Sequence, residues 1–365
     1  MTQERDEVRG GGRVTDGDGV LDGCRVPVVL APMAGGPSTP ELCAGVSEAG
    51  GLGFLAAGYL TAADLAARID ATRRLTDRPF GVNVFVPGSP GDAAAVAAYA
   101  RRLEPEATRL GVGVGQARVD DDDWTATLDL LAGDPVPVVS FTFGCPAPED
   151  VARLRDAGSE VWVTVTSAAE ARLAQGSGAD ALVVQGAEAG GHRGGFTDAD
   201  DATGLLALLQ LVRVVSSLPM IAAGAIMTGA ALAGVLAAGA RAGALGTAFL
   251  RCPEAGTVDL HRQALARGDE RSTRLTRAFT GRLARGLENR FLLEHSAHAP
   301  SAYPEVHFLT APLRAAARAA GDAEAVNLWA GQAHPLGTEL PAGEVVARVA
   351  AEARAAVEAV ARLLV

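Results

Sequence analysis

Eight short apolar runs, each followed by a segment with helical spacing, constrain this chain more than any other feature. They are Val26–Leu30, Leu52–Leu55, Pro79–Val86, Val136–Phe141, Val161–Val165, Ala181–Val184, Leu218–Ala223 and Ala242–Gly246. Between them lie expected helices over Pro40–Ala49, Thr61–Leu75, residues 91–110, Pro148–Ala157, Ser167–Gln175, Gly204–Ser216 and Gly229–Ala238. Strands that alternate with helices pair in parallel, because the helix makes the crossover. Eight such units make a closed barrel. A doubly wound open sheet is the alternative, and it places its glycine fingerprint after the first strand. Here the glycine-rich loops follow the first, sixth, seventh and eighth runs, spread around a ring. The expected fold class is α/β, a (β/α)8 TIM barrel with an additional helical subdomain near the C-terminus.

That reading divides the chain into a disordered tail (1–24), a barrel (25–250), a helical lid (251–335) and a closing helix packed on the barrel (336–365). The tail is rich in Gly, Asp and Arg and has few apolar residues to bury. Residues 87–135 are less regular, with a solvated acidic loop at Asp120–Asp123, and Asp259–Arg277 reads as helical. A hydrophobic share of 48% supports a large core, and a net charge of −11 without a basic stripe argues against nucleic acid. Every fixed cation is Arg, since the chain contains no Lys. Cys24, Cys43, Cys145 and Cys252 are scattered, which fits neither zinc nor a disulfide framework. Glycines 224, 229, 234 and 239 interrupt the apolar stretch from Leu218 to Ala240, so it reads as strand, turn and helix rather than a membrane span. With no signal-peptide pattern at the start, a cytoplasmic location is expected.

Chemistry-bearing residues gather at the carboxyl ends of these runs, where parallel α/β folds bind ligands. The densest stretch is Gln185–Phe196, in which five glycines interleave with Gln185, Glu188, His192 and Arg193. His192 has a side chain that titrates near neutrality, suited to proton abstraction or charge stabilisation. A satisfied structural histidine is the plain alternative. Gly224-Ala225-Ile226 and Leu245-Gly246-Thr247-Ala248 can present backbone N–H groups and a hydroxyl to a phosphate. Equally, small residues there could serve tight helix–strand packing. Asn83 and Gln185 place carboxamides at the barrel mouth, suited either to a heteroaromatic ring such as isoalloxazine or to structural hydrogen bonds.

Several of these segments together resemble the nitronate monooxygenases, formerly called 2-nitropropane dioxygenases. The resemblance is carried by Ala31-Pro32-Met33-Ala34-Gly35-Gly36, Ser38–Leu42, Gly50–Phe54 and the Gln185–Gly194 stretch around His192. Ala222-Ala223-Gly224, Gly246–Leu250 and Asn327–Gln332 extend it. It implies an FMN-dependent barrel that oxidises alkyl nitronates, such as propionate 3-nitronate, with O2 through a flavosemiquinone and without NAD(P)H. Carried over by position, Ala31, Pro32, Met33, Asn83, Gln185, Gly190, Gly191, Gly224, Ala225, Gly246 and Thr247 would contact FMN. His192 would be the catalytic residue facing the substrate, with Tyr303 lining the substrate pocket from the lid. The implied partners are a small nitronate or nitroalkane and O2, with no nucleic acid and no membrane, and a homodimer is compatible. Leu30, Ala225 and Ala244 depart from the family's usual Gln, Gly and Gln; a methyl at Ala225 is tolerable if φ stays negative. The nearest rivals are FMN-dependent enoyl-acyl-carrier-protein reductases and NADH:quinone reductases that use NAD(P)H. A non-catalytic FMN-binding protein is the third reading.

Overall fold

The computed structural model describes residues 19–199 and 202–364. Its strands are β1 (Val28–Leu30), β2 (Gly53–Ala56), β3 (Phe80–Phe85), β4 (Val138–Thr142), β5 (Glu160–Val165), β6 (Ala181–Gln185), β7 (Gly191–His192), β8 (Met220–Ala223), β9 (Ala242–Leu245), β10 (Thr273–Thr276) and β11 (Ala284–Leu287). Its helices are α1 (Pro40–Glu48), α2 (Ala62–Leu75), α3 (Ala93–Leu110), α4 (Trp124–Gly133), α5 (Pro148–Asp156), α6 (Ala168–Gly176), α7 (Leu205–Val215), α8 (Gly229–Ala237), α9 (Asp259–Ala266), α10 (Arg290–His295), α11 (Glu305–Ala319) and α12 (Ala342–Leu363).

Eight strands form one parallel sheet in the order β1-β9-β8-β6-β5-β4-β3-β2. A bridge between Val29 and Leu52 closes the ring, with Leu30 N–H donating to Leu52 O and Leu52 N–H to Val28 O, both at 2.9 Å. The expected TIM barrel is therefore present. Inside it, the rings of Phe54 and Trp162 lie 5.7 Å apart among Val29, Leu52, Val138 and Ile221. Gly81 makes room for them, because a Cβ there would stand 2.4 Å from the Phe54 ring. Leu30, one of the departures from the family pattern, is buried outside the barrel wall, among residues of α1, α7, α8 and α12.

Where local signals were weak, the structure departs from the sequence reading. The expected tail lies largely outside the described residues. Its last part, Val20–Gly23, forms a 3-10 turn at the amino-terminal face of the barrel. Val20 N–H donates to the Glu160 carboxylate, which also accepts Trp162 Nε1–H at 2.9 Å. In the irregular region, α4 follows the acidic loop. The helix expected over Asp259–Arg277 ends at Ala266, and Thr273–Thr276 is a strand.

That strand changes the character of the lid. Residues 251–335 are not purely helical, for β10 and β11 pair antiparallel and β11 continues onto β7. The register sets Ala284 opposite His192 and Arg285 opposite Gly191. A second hydrophobic cluster, including Phe279, Phe291, Val306 and Leu313, joins α10 and α11 to Tyr99 and Leu103 of α3. Two antiparallel strands and a shared core thus fasten the lid over the carboxyl ends of the barrel strands. On the opposite flank α12 crosses α8 so closely that a Cβ on Gly229 would meet Ala353 N at 2.2 Å and Val349 O at 2.3 Å.

Candidate active site

Between barrel mouth and lid lies a cavity of about 340 Å3, within the range of small-molecule sites. The barrel contributes Ala31, Pro32 and Met33 after β1, Asn83 from β3, Gln185 at the end of β6, Gly224 and Ala225 after β8, and Gly246 and Thr247 after β9. Gly190, Gly191 and His192 form the adjoining wall. The structure thus brings these twelve sequence-predicted residues to one cavity. Tyr303 is not among its lining residues. It stands one ring behind, with centroids 5.7 Å from His192 and 5.5 Å from Phe143.

His192 is held from several sides. Pairing with β11 fixes its backbone, and Gln185 Nε2 donates to its carbonyl at 3.0 Å. Phe143, Tyr303 and Trp329 pack around the imidazole at 5.6, 5.7 and 5.6 Å between centroids. Its Nε2 is 2.9 Å from Thr280 Oγ1, which also lies 3.2 Å from the Arg282 carbonyl. A hydroxyl has one proton to give. If Thr280 gives it to Arg282 O, His192 carries Nε2–H and presents a lone pair at Nδ1. If Thr280 gives it to Nε2, His192 carries Nδ1–H instead. Burial first, and the Arg282 guanidinium second, push the imidazole pKa down to about 3, so the ring is neutral near pH 7.

The carboxamides serve the protein more than expected. Gln185 Oε1 accepts from Gly194 N–H at 2.8 Å and from Arg193 at 3.2 Å, so both ends of this amide lock the 190s loop. Asn83 Nδ2 donates to Ser140 O, Ser140 Oγ and Thr142 Oγ1 at 3.2, 2.9 and 2.9 Å. A carbonyl only accepts, which fixes the amide orientation and leaves Asn83 Oδ1 as an acceptor on the cavity wall. Glu188 caps α7 by accepting Leu205 N–H at 3.0 and 3.1 Å. Arg193 reaches Gly186 O at 2.6 Å.

Two loops, after the neighbouring strands β8 and β9, shape the adjoining part of the wall. Gly224 and Ala225 have φ of +135° and +52°. The left-handed value at Ala225 does not meet the condition of a negative φ, and an alanine there carries steric cost. After β9, Thr247 opens a short 3-10 turn, and its Oγ1 accepts Gly331 N–H at 3.0 Å, tying the lid to the barrel. Ala244 lies on the cavity floor, where its methyl takes the place of a longer side chain.

The lid and neighbouring loops add residues that local sequence pattern did not reveal. Thr280, Trp329, His307 and Arg314 all line the cavity. Tyr59 and Phe143 do so from left-handed backbone, φ +70° and +78°. Bulky residues held there mark over-determined, often functional, sites. Tyr59 stacks on His307 at 4.3 Å and 11°. Cys145 lies apart, bonded to Ser177 Oγ at 3.2 Å.

A closed barrel whose glycine loops and a neutral histidine line one covered cavity at the carboxyl ends of its strands has the architecture of a barrel enzyme. The family model described as nitronate monooxygenase matches residues 22–352. A nitronate monooxygenase of Paraburkholderia phytofirmans is 40% identical over 349 residues, 93% of this chain and 95% of that protein. A probable nitronate monooxygenase of Staphylococcus aureus is 36% identical over 330 residues, 88% of this chain and 93% of that protein. The solved nitroalkane oxidase of Streptomyces ansochromogenes superposes with a TM-score of 0.91 at 51% identity, covering 93% of this chain and 99% of that one. FabK from Thermotoga maritima is more distant, with a TM-score of 0.72 at 27% identity over 94% of this chain and 97% of its own. The chain belongs to the nitronate monooxygenase family and is an oxidoreductase. None of the described helices is long and apolar enough to cross a membrane.

Proposed function

We propose that the protein binds FMN in this cavity and oxidises alkyl nitronates with O2, without NAD(P)H. The observation that carries the reading is His192, neutral and fixed at Nε2, sharing with the glycine loops one cavity that a lid covers. The residues fit FMN. Gly224, Ala225, Gly246 and Thr247 would hold its phosphate through backbone N–H groups and the Thr247 hydroxyl proton. Asn83 Oδ1 offers an acceptor to a ring N–H. Ala31, Pro32, Met33, Gly190 and Gly191 supply flat, small surface for close approach of a ring. Gln185 acts indirectly, by fixing His192 and Gly194. Bound FMN supplies the electron acceptor for the nitronate and the route of electrons to O2.

The protein's own part is binding and proton placement. With Thr280 donating to Nε2, His192 Nδ1–H donates to a nitronate oxygen. With Thr280 turned to Arg282 O, Nδ1 can take the α-proton of a neutral nitroalkane. A pKa near 3 makes the ring a weak base, which favours the first role and a substrate that arrives ionised. Trp329, Tyr59 and Phe143 exclude water around it.

The test is direct. The purified protein should show a flavin spectrum and consume O2 when given an alkyl nitronate. A colourless protein that FMN cannot reconstitute would overturn the cofactor. Rapid anaerobic bleaching by NADH would overturn the NAD(P)H-independent reaction. His192→Ala should keep its flavin and lose O2 uptake, and a parent protein without nitronate-dependent uptake would leave only a binding role.

A further inference from the structure

We propose that Arg318 and Arg314, on the cavity face of α11, form an anion entry path that makes the enzyme select ionised nitronates over neutral nitroalkanes. The inference rests on the nitronate-oxidation reading and adds the residues that set its preference for charge.

Arg314 is 6% exposed, yet its guanidinium meets only neutral groups. Nε donates to Thr310 Oγ1 at 3.0 Å, Nη1 to Asn327 Oδ1 at 3.4 Å, and Nη2 to His307 O at 2.9 Å and toward His307 Nδ1 at 3.3 Å. One Nη1–H of its five donors remains uncommitted. His307 adds no counter-charge, since burial and then Arg314 itself keep it neutral. Arg318 lies one turn later on the same face, exposed at the rim, and donates to the same Asn327 Oδ1 at 3.1 Å. Among the described residues neither arginine forms an ion pair. Asp122 stands behind Tyr59, where its carboxylate accepts the Tyr59 backbone N–H.

The chain has 43 acidic residues, yet none is paired with these two cavity-lining arginines among the described residues. Where α3 meets the lid, buried Glu106 takes both Arg109 and Arg290, at 2.7 and 2.6 Å. A buried, unpaired cation carries a desolvation penalty of several kcal/mol that an arriving anion offsets. Arg318 meets the substrate in solvent, Arg314 receives it in the wall, and both line the cavity that His192 faces. A molecule of net charge −11 repels anions at long range, so a local positive path also decides where they enter.

The experiment uses FMN-loaded protein and two readouts. Steady-state O2 uptake compares a preformed nitronate with its neutral nitroalkane in wild type, Arg318→Gln and Arg318→Glu. Arg318 is exposed, so these variants keep the fold. Arg318→Glu should lower kcat/KM for the nitronate about tenfold at low salt, the size of a steering effect. The loss should shrink as added salt screens it, and the neutral nitroalkane should change less than about twofold. Equal losses for both forms, or no salt dependence, would overturn the proposal. The second readout needs no turnover. Trp329 fluorescence reports binding of propionate and of its neutral isostere propionamide to wild type, Arg318→Glu and Arg314→Met. Propionate should bind more tightly in wild type and lose that advantage in both variants. Equal binding of the two probes to wild type sinks the entry path even if nitronates turn over. A clear propionate preference supports it even if they do not.

Discussion

Replacing Thr280 by Val tests whether His192 works through a defined tautomer. The change keeps the shape of the side chain and removes one hydroxyl. That hydroxyl is 2.9 Å from His192 Nε2, and Thr280 is 2% exposed. Water cannot readily replace it, so Nε2 loses its one partner among the described residues inside a buried site. An unsatisfied buried polar atom costs about 1–3 kcal/mol. The plane of the imidazole persists, because Phe143, Tyr303 and Trp329 still surround it and Gln185 still holds its carbonyl. In the form with Nδ1–H the Nε2 lone pair would be left bare, and in the other form the Nε2–H would be, so the hydroxyl no longer fixes the tautomer. Since about 1.4 kcal/mol is tenfold in rate, kcat/KM for a nitronate should fall about 5- to 150-fold. Thr280→Ser should retain activity within about threefold, because it restores the hydroxyl at the same atom. The assay is O2 uptake over a nitronate series, with each variant matched for bound flavin by absorbance. A Thr280→Val enzyme with full flavin and kcat/KM within about twofold of wild type would refute the tautomer reasoning, because the magnitude follows from that one bond.

Three further outcomes follow from the geometry. In Gly190→Ala the new Cβ would lie 2.4 Å from Gly331 N and 2.5 Å from Ala330 C. Both are backbone atoms, so the variant should melt several degrees lower and retain less FMN; an unchanged melting curve and flavin content would refute that close approach. Ala225→Gly should relieve the left-handed backbone at φ +52°. Relief of about 1–2 kcal/mol, less about 0.4–1 for the freer unfolded chain, leaves a net gain of about 0.5–1 kcal/mol in urea unfolding. A loss of stability in Ala225→Gly would contradict the assigned φ. The neutral histidines make the protein acid-sensitive: burial lowers His192 to about 3, His261 to about 4 and His307 to about 2. Below the unfolded value of about 6.5 the unfolded chain binds protons that the folded one refuses, so stability is full above that pH and declines as pH falls toward 4. Each histidine contributes up to about 1.4 kcal/mol per pH unit, and urea midpoints that stay flat from pH 7.5 to 5 would overturn this account.

How much of this was legible in the sequence depended on whether a signal was local. Strands buried on both faces of a parallel sheet read as unbroken apolar runs, so Val161–Val165 and Ala181–Val184 announced themselves. The glycine loops after β6, β8 and β9 were equally plain, because their backbone positions need small residues in sequence order. The lid sheet gave no such signal. Three of the four residues Thr273-Arg274-Leu275-Thr276 are polar, and β7 is two residues, Gly191 and His192. Its pairing joins positions more than ninety residues apart, Gly191 with Arg285, and no periodicity encodes a register of that kind. Thr280, Trp329 and Arg314 reach the cavity only because that sheet and α11 fold over it. Tyr303 was visible as a residue but not as a second-layer neighbour of His192. At Ala225 the signal was masked differently, since alanine hides a left-handed backbone that glycine would have advertised.

The stretch from Gln185 to Phe196 unites these two halves of the molecule. Gln185 was expected to serve the cofactor ring, and the structure uses its amide to set the loop that carries His192. That loop continues into the lid, with Arg193 N–H donating to Leu283 O at 2.8 Å beside the β7–β11 register. The hydrogen bonds that orient His192 are therefore among those that dock the lid. Lifting the lid along this seam to admit a substrate would also disorder the residue that must meet it. Exchange through the rim of α11, where Arg318 reaches solvent, leaves the seam intact. A positive entrance on that side lets substrates come and go while β7, β11 and Thr280 keep the imidazole in one orientation.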